Sequence, residues 1–322
     1  MKITRPFLGL TIVAICLFFS CSNDSSNPND TETIKDDFSY TTVNDNGEIN
    51  FIGNNSGKIT LSAKFNGLTA TPINLNTICS NTNSIFLIEH KSPLDKLYVF
   101  DKNSKTTTSK TLSYPDEITG FEPLMFVLEW NKSKSMLYGI IASNPYSETN
   151  NVNYFVTINP STYKVQYSGI SFLQKNIYST FSNGSKLYCT SYTDNVFEIN
   201  PDENTATAIP LNGTKIPLIS TVMYSNSIAY GLKVNTSTFI LNPVSINTAT
   251  NTYLDLLLNE NYKVVNYKGK GYIDKTNNQY INLVSKNNQL GILKYNILSN
   301  TSEFIPATTN ITNYNINTVI IE

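Results

Sequence analysis

Arginine, histidine and tryptophan occur once each in 322 residues, as Arg5, His90 and Trp130. Each scarcity closes off a class of chemistry. Without arginine forks, bidentate clamps on carboxylates or phosphates are excluded. A nucleic-acid footprint needs a basic surface, yet 23 basic residues here face 24 acidic ones. Nucleic acid is therefore not an expected partner. A single histidine cannot build a multi-histidine zinc site and argues against a Ser-His-Asp triad. The 14 glycines are scattered through turns and form no phosphate-binding loop. The longest apolar run, Phe7 to Phe19, falls short of the roughly 20 residues that span a bilayer as a helix. Of four cysteines, Cys16 and Cys21 lie at the start, and only Cys79 and Cys189 lie beyond it. Two cysteines so far apart make no disulfide framework, and they are expected to be buried free thiols.

What is present begins with that apolar run. Lys2 and Arg5 precede it, and Leu17-Phe18-Phe19-Ser20-Cys21 closes it. A cationic start, a short apolar stretch and a small residue before a cysteine read as a secretory signal. The pattern resembles the lipobox of bacterial lipoproteins, with Phe18 where that family usually has leucine. The resemblance implies cleavage before Cys21 and lipidation of Cys21, a palmitate-type anchor to the outer membrane of the cell envelope. Three segments follow: residues 1–20 as the signal peptide, 21–35 as lipidated cysteine and tether, and 36–322 as the folded domain. Residues 22–35, SNDSSNPNDTETIK, carry no aromatic side chain and cannot bury enough apolar area to order themselves.

From Asp36 onward, short runs rich in Val, Ile, Thr, Tyr and Phe alternate with clusters of Asn, Ser, Gly, Asp and Lys. This is strand-and-turn chemistry. Tyr253 to Leu258 is the best helical candidate and is too short to stand as one. One element recurs: an apolar strand end, then Asp or Asn, then a turn. It is read at Asp101, Asn159, Asn200, Asn242 and Asn296. An Asx side chain can bond the backbone two residues on, and a following proline presets φ for the turn. A second element precedes each of these, a polar turn entering a strand with an early aromatic. Phe86, Tyr138, Tyr188, Tyr230 and Tyr280 mark it. An earlier, weaker copy starts at the Asn46-Gly47 hairpin signal.

About six units result, possibly seven, each with room for four short antiparallel strands. The expected fold is all-β, a β-propeller; tandem β-sandwich domains are the alternative. The strings FEINPDENTATAI and VTINPSTYKVQY resemble YVTN and quinoprotein-like propeller repeats. A strand near Ile311 to Ile321 is expected to close the ring with N-terminal material, because an unpaired edge strand invites aggregation.

Candidate chemistry is sparse. His90 lies beside Lys91 and Pro93 and reads as a solvated loop residue. Trp130, where a strand enters a turn, is either a plug at a blade end or a stacking platform for a sugar or a partner. Lactonase-type propellers hold calcium through channel oxygens, which suits Glu, Asp and Asn ligands. By that resemblance Glu122, Glu129 and Asp274 are the metal candidates. Asp45-Asn46-Gly47-Glu48 faintly resembles a calcium loop, but a hairpin turn explains it. The leading expectation is an envelope-anchored lipoprotein whose propeller binds a protein or glycan partner rather than an enzyme. A calcium-assisted lactonase- or lyase-type hydrolase and a structural scaffold are the alternatives. Fold alone does not choose among them.

Overall fold

The structure is a computed structural model describing residues 35–69, 71–118, 122–143, 152–173, 176–190, 196–213, 216–258, 260–265, 268–307 and 318–321. Cys21, the expected signal and most of the expected tether lie outside the described residues. The described body is built from strands, with two single-turn 3-10 segments at Leu75–Thr77 and Asp116–Ile118. Tyr253 to Asp255, part of the helical candidate, is strand.

The chain opens with β1 (Ser39–Asn44), β2 (Glu48–Gly53) and β3 (Ile59–Lys64). Four strands follow as β4 (Ile78–Ser80), β5 (Ser84–Glu89), β6 (Lys96–Asp101) and β7 (Thr107–Thr111). The next sheet holds β8 (Leu124–Asn131), β9 (Met136–Ala142), β10 (Val152–Ile158) and β11 (Val165–Leu173). Then come β12 (Ser179–Asn183), β13 (Lys186–Thr190), β14 (Val196–Asn200) and β15 (Thr205–Ile209). The last stretch contains β16 (Leu218–Met223), β17 (Ile228–Val234), β18 (Ile240–Asn247), β19 (Thr252–Asp255) and β20 (Tyr262–Val264). It continues through β21 (Tyr272–Asp274), β22 (Gln279–Lys286), β23 (Gln289–Asn296), β24 (Thr301–Pro306) and β25 (Thr318–Ile321).

Four separate four-stranded sheets form, and β16 to β24 merge into one nine-stranded sheet. The expectation of about six four-stranded blades, possibly seven, is therefore corrected to four. The merger has a local cause. The outer partner of β18 changes at Asn242-Pro243: Ile240 and Leu241 face β20, whereas Val244 to Asn247 face β19. Proline has no N–H to carry a ladder across that point. The short β20 also pairs with β22 and so joins two antiparallel meanders. No tandem sandwich is present among the described residues.

Asn242 is thus not a turn residue. The turn lies five residues later, where Asn247 Oδ1 accepts from the N–H of Ala249 and Thr250 at 3.0 and 3.2 Å. Asp101, Asn200 and Asn296 do end strands and Asn159 directly follows one, as expected, their side chains accepting backbone N–H groups of the turn. The chain then passes through the left-handed region at Lys105, Tyr163, Asn204, Asn251 and Asn300. One turn geometry therefore recurs with different sequences.

The middle strands explain why alternation is weak in the sequence. In β5, Ile85 and Leu87 face a cluster shared with Val43 and Ile49 of the first sheet. Phe86 and Ile88, on the other face, pack with Leu128 and Leu137 of the third sheet. Both faces are buried, so both are apolar. The same sharing continues. Tyr138 and Ile140 meet Leu187, Phe181 and Tyr188 meet Val244, and Leu232 meets Val284. Ile281 and Ile292 then pack on Tyr40 and Ile52 of the first sheet, which closes the circuit. β25 pairs antiparallel with β1, Thr41 opposite Ile321 and Val43 opposite Val319. The last described strand therefore covers the edge of the first, in a propeller-like arrangement.

Candidate functional site

Small side chains of three first strands line one cavity: Cys79 and Ser80 on β4, Thr180 and Ser182 on β12, Thr221 on β16. Together with β8, β21 and Ile321 of β25 they enclose a central cavity of about 330 Å³. That lies in the range of small-molecule sites.

One ion pair crosses its wall. Lys270, just before β21, donates to Glu129 Oε2 of β8 and also to the Leu128 carbonyl at 3.0 Å. Thr180 Oγ1 donates to the same Glu129 oxygen at 2.7 Å. Below the pair, Ser179 Oγ accepts from the Thr221 N–H at 2.9 Å and from Thr221 Oγ1 at 3.0 Å. Cys79 and Cys189 are free and buried, as expected, and burial pushes both thiols well above their usual range. They are inert hydrophobes in that state.

The wall is bent at β16. Its register shifts between Ile219 and Val222, and Ser220 sits at φ 53°, a left-handed conformation a serine seldom adopts. Gly271 gives that bulge its room. A Cβ there would lie 2.6 Å from the Ser220 carbonyl and 2.4 Å from the Tyr280 ring.

The cavity opens on the turns between first and second strands, lined by Thr82, Lys132, Ser133, Asn183, Asn226 and Lys275. Those turns bond the third-to-fourth turns, as in Lys102 N–H to Asn83 carbonyl and Ile297 N–H to Asn278 carbonyl. Both sets therefore share one face. Asp36 lies on that face too, gripping the β2–β3 turn through the N–H groups of Asn55 and Ser56, each 2.8 Å.

The sequence candidates separate. Trp130 lines the cavity half-buried, its ring stacked on Phe86 at 5.6 Å between centroids. Glu129 also lines it, committed to Lys270 and Thr180. Asp274 is buried in the β21–β22 turn, where it accepts from the N–H groups of Thr276 and Asn277. Glu122 lies on the opposite face beside His90, its Oε1 at 3.6 Å from Nε2. The three carboxylates are not brought together, and no cluster of three metal-ligating side chains occurs among the described residues. The Asp45 to Glu48 segment is a hairpin: Asn44 Oδ1 accepts from the N–H of Asn46 and Glu48.

His90 is not a free loop residue. Its Nδ1 is 2.7 Å from Asp95 Oδ1, and Asp95 is fully buried. Asp95 Oδ2 accepts from Tyr114 Oη at 2.6 Å and the Met125 N–H at 2.9 Å. The group ties β6 to the approach of β8. Sequence reading missed Lys270 altogether; its signal was the Gly269-Lys270-Gly271 run entering a strand.

No protein-family model matches the chain, and no curated protein matches it. Among solved structures it superposes on the crystal structure of TolB from Acinetobacter baumannii with a TM-score of 0.54 at 9% identity. The fold is a β-propeller. The match covers 85% of this chain and 65% of that one, so this chain spans just under two thirds of the TolB structure. At that identity the likeness carries fold alone.

Proposed function

We propose that this chain is an envelope-anchored binding protein whose propeller takes a protein or glycan partner at the mouth of its central cavity. The observation that carries this is the mouth itself. Trp130, Tyr224 and Tyr272, each half-buried, line one concave cavity among turn amides, hydroxyls and lysines. Aromatic groups with a polar surround are what recognition sites use. Glu129 and Asp274, which the calcium-assisted alternative needs, already serve the ion pair and a turn.

The anchor is the lipid on Cys21. Several acyl chains, each methylene contributing about 0.8 kcal/mol, would give stable attachment. Cys21→Ala should abolish incorporation of labelled palmitate, and continued incorporation would overturn the anchor.

Binding is tested by a photoactivatable residue at position 183, on the mouth, and at position 91, on the opposite face. Specific adducts from 183 in intact envelopes, absent from 91, support docking at the mouth. Adducts only from 91, or none from 183, contradict it.

A further inference from the structure

The charges around the cavity narrow the class of partner. Three lysines, Lys132, Lys270 and Lys275, line it against one carboxylate among the described residues, Glu129. Lys270 and Glu129 neutralise each other. Lys132 and Lys275 are exposed on the β8–β9 and β21–β22 turns, and neither makes an ion pair among the described residues. Asp274, adjacent to Lys275, is buried and holds its own turn. The cavity lining therefore carries two lysines outside any ion pair, against one already-paired carboxylate among the described residues.

Thr82 and Ser133 with their hydroxyls, Asn226 with its amide, and Trp130 line the same cavity. Hydroxyl and amide groups both donate and accept, which suits the paired hydroxyls of a sugar ring. An indole face packs on the apolar C–H face of such a ring. A lysine ammonium takes a carboxylate as a point charge, without the planar fork that arginine would impose. Resting on the proposed binding function, we infer that the cavity takes an acidic saccharide, with its carboxylate at Lys132 or Lys275 and a sugar ring against Trp130.

Trp130 is the only tryptophan, so its emission reports on the mouth directly. Full-length protein in detergent is titrated with digalacturonate, with the neutral digalactoside and with tetraglutamate, following emission and heat. Digalacturonate should bind and shift the emission, at least tenfold more tightly than the neutral sugar. Lys132→Met and Lys275→Met together should weaken it about tenfold or more, as should raised salt. Circular dichroism checks that the variant stays folded. Equal affinity for the neutral sugar, tighter binding of tetraglutamate, or no binding of digalacturonate overturns the inference. Adducts from position 183 would then still support docking of a different partner, so the two readings fail separately.

Discussion

Lys270 Nζ and Glu129 Oε2 bond across the cavity wall, although 141 residues separate them in the chain. The contact joins β8 to the approach of β21, and Thr180 brings in β12 through the same oxygen. Both side chains are about one-seventh exposed, at 14% and 13%. Most of each side chain is thus withdrawn from bulk water.

Removing either partner should therefore cost more than removing both. Lys270→Met or Glu129→Gln alone leaves an unpaired group in the wall, with a loss of up to about 3–5 kcal/mol for a truly buried pair. The double variant should recover much of that. Denaturant midpoints of the three variants test the coupling; additive losses would show that the pair is not a unit.

Closure predicts a global effect from a few terminal residues. Ile320 and Ile321 are buried, and β25 covers the edge of β1. Deleting residues 318–322 should lower the melting temperature of the whole body and promote association through the exposed edge. Ile320→Ala should cost about 2–4 kcal/mol. A deletion that melts like the intact chain would show that β25 does not close the ring.

The His90–Asp95 contact makes a pH prediction. The hydrogen bond to Asp95 raises the histidine above its usual 6.5, against a smaller opposing effect of burial. A pKa raised on folding stabilises the protein below the unfolded value and loses that contribution as pH climbs through the folded value. His90→Gln should therefore lower thermal stability more at about pH 5.5 than at about pH 8.5. Equal losses at both would remove the charge from the account and leave only a neutral hydrogen bond.

Turn chemistry separates the true repeat from its imitation. Asn247→Ala removes the acceptor for two backbone N–H groups and should cost about 1 kcal/mol. Asn242→Ala, inside β18 and half-buried, should cost less. Urea midpoints decide, and a larger loss at Asn242 would restore the register read from sequence.

That pair also shows what the chain discloses. The strand-and-turn pattern and the early aromatics were legible because they rest on local chemistry. Phe86, Tyr138, Tyr188, Tyr230 and Tyr280 all lie buried on second strands. Asn242-Pro243 misled because an Asx-Pro pair reads as a turn wherever it occurs, whereas here flanking partners hold it extended. The count of separate sheets was beyond local reading, since it depends on three-residue β20 pairing with two strands at once. The Lys270–Glu129 pair and the His90–Asp95–Tyr114 group were illegible for the same reason, being assembled by the fold. Glu122 and Asp274 drew notice as acids beside strands, a signal that does not tell a turn cap from a ligand.

The central claim is that a partner covers the cavity mouth. Hydroxyl-radical footprinting with mass spectrometry tests it on full-length protein, in native envelopes and purified in detergent. The account predicts protection of Trp130, Tyr224 and Tyr272 in envelopes, with His90 on the opposite face oxidised equally in both. Equal oxidation of the three mouth residues in both preparations, or protection confined to His90, would contradict it.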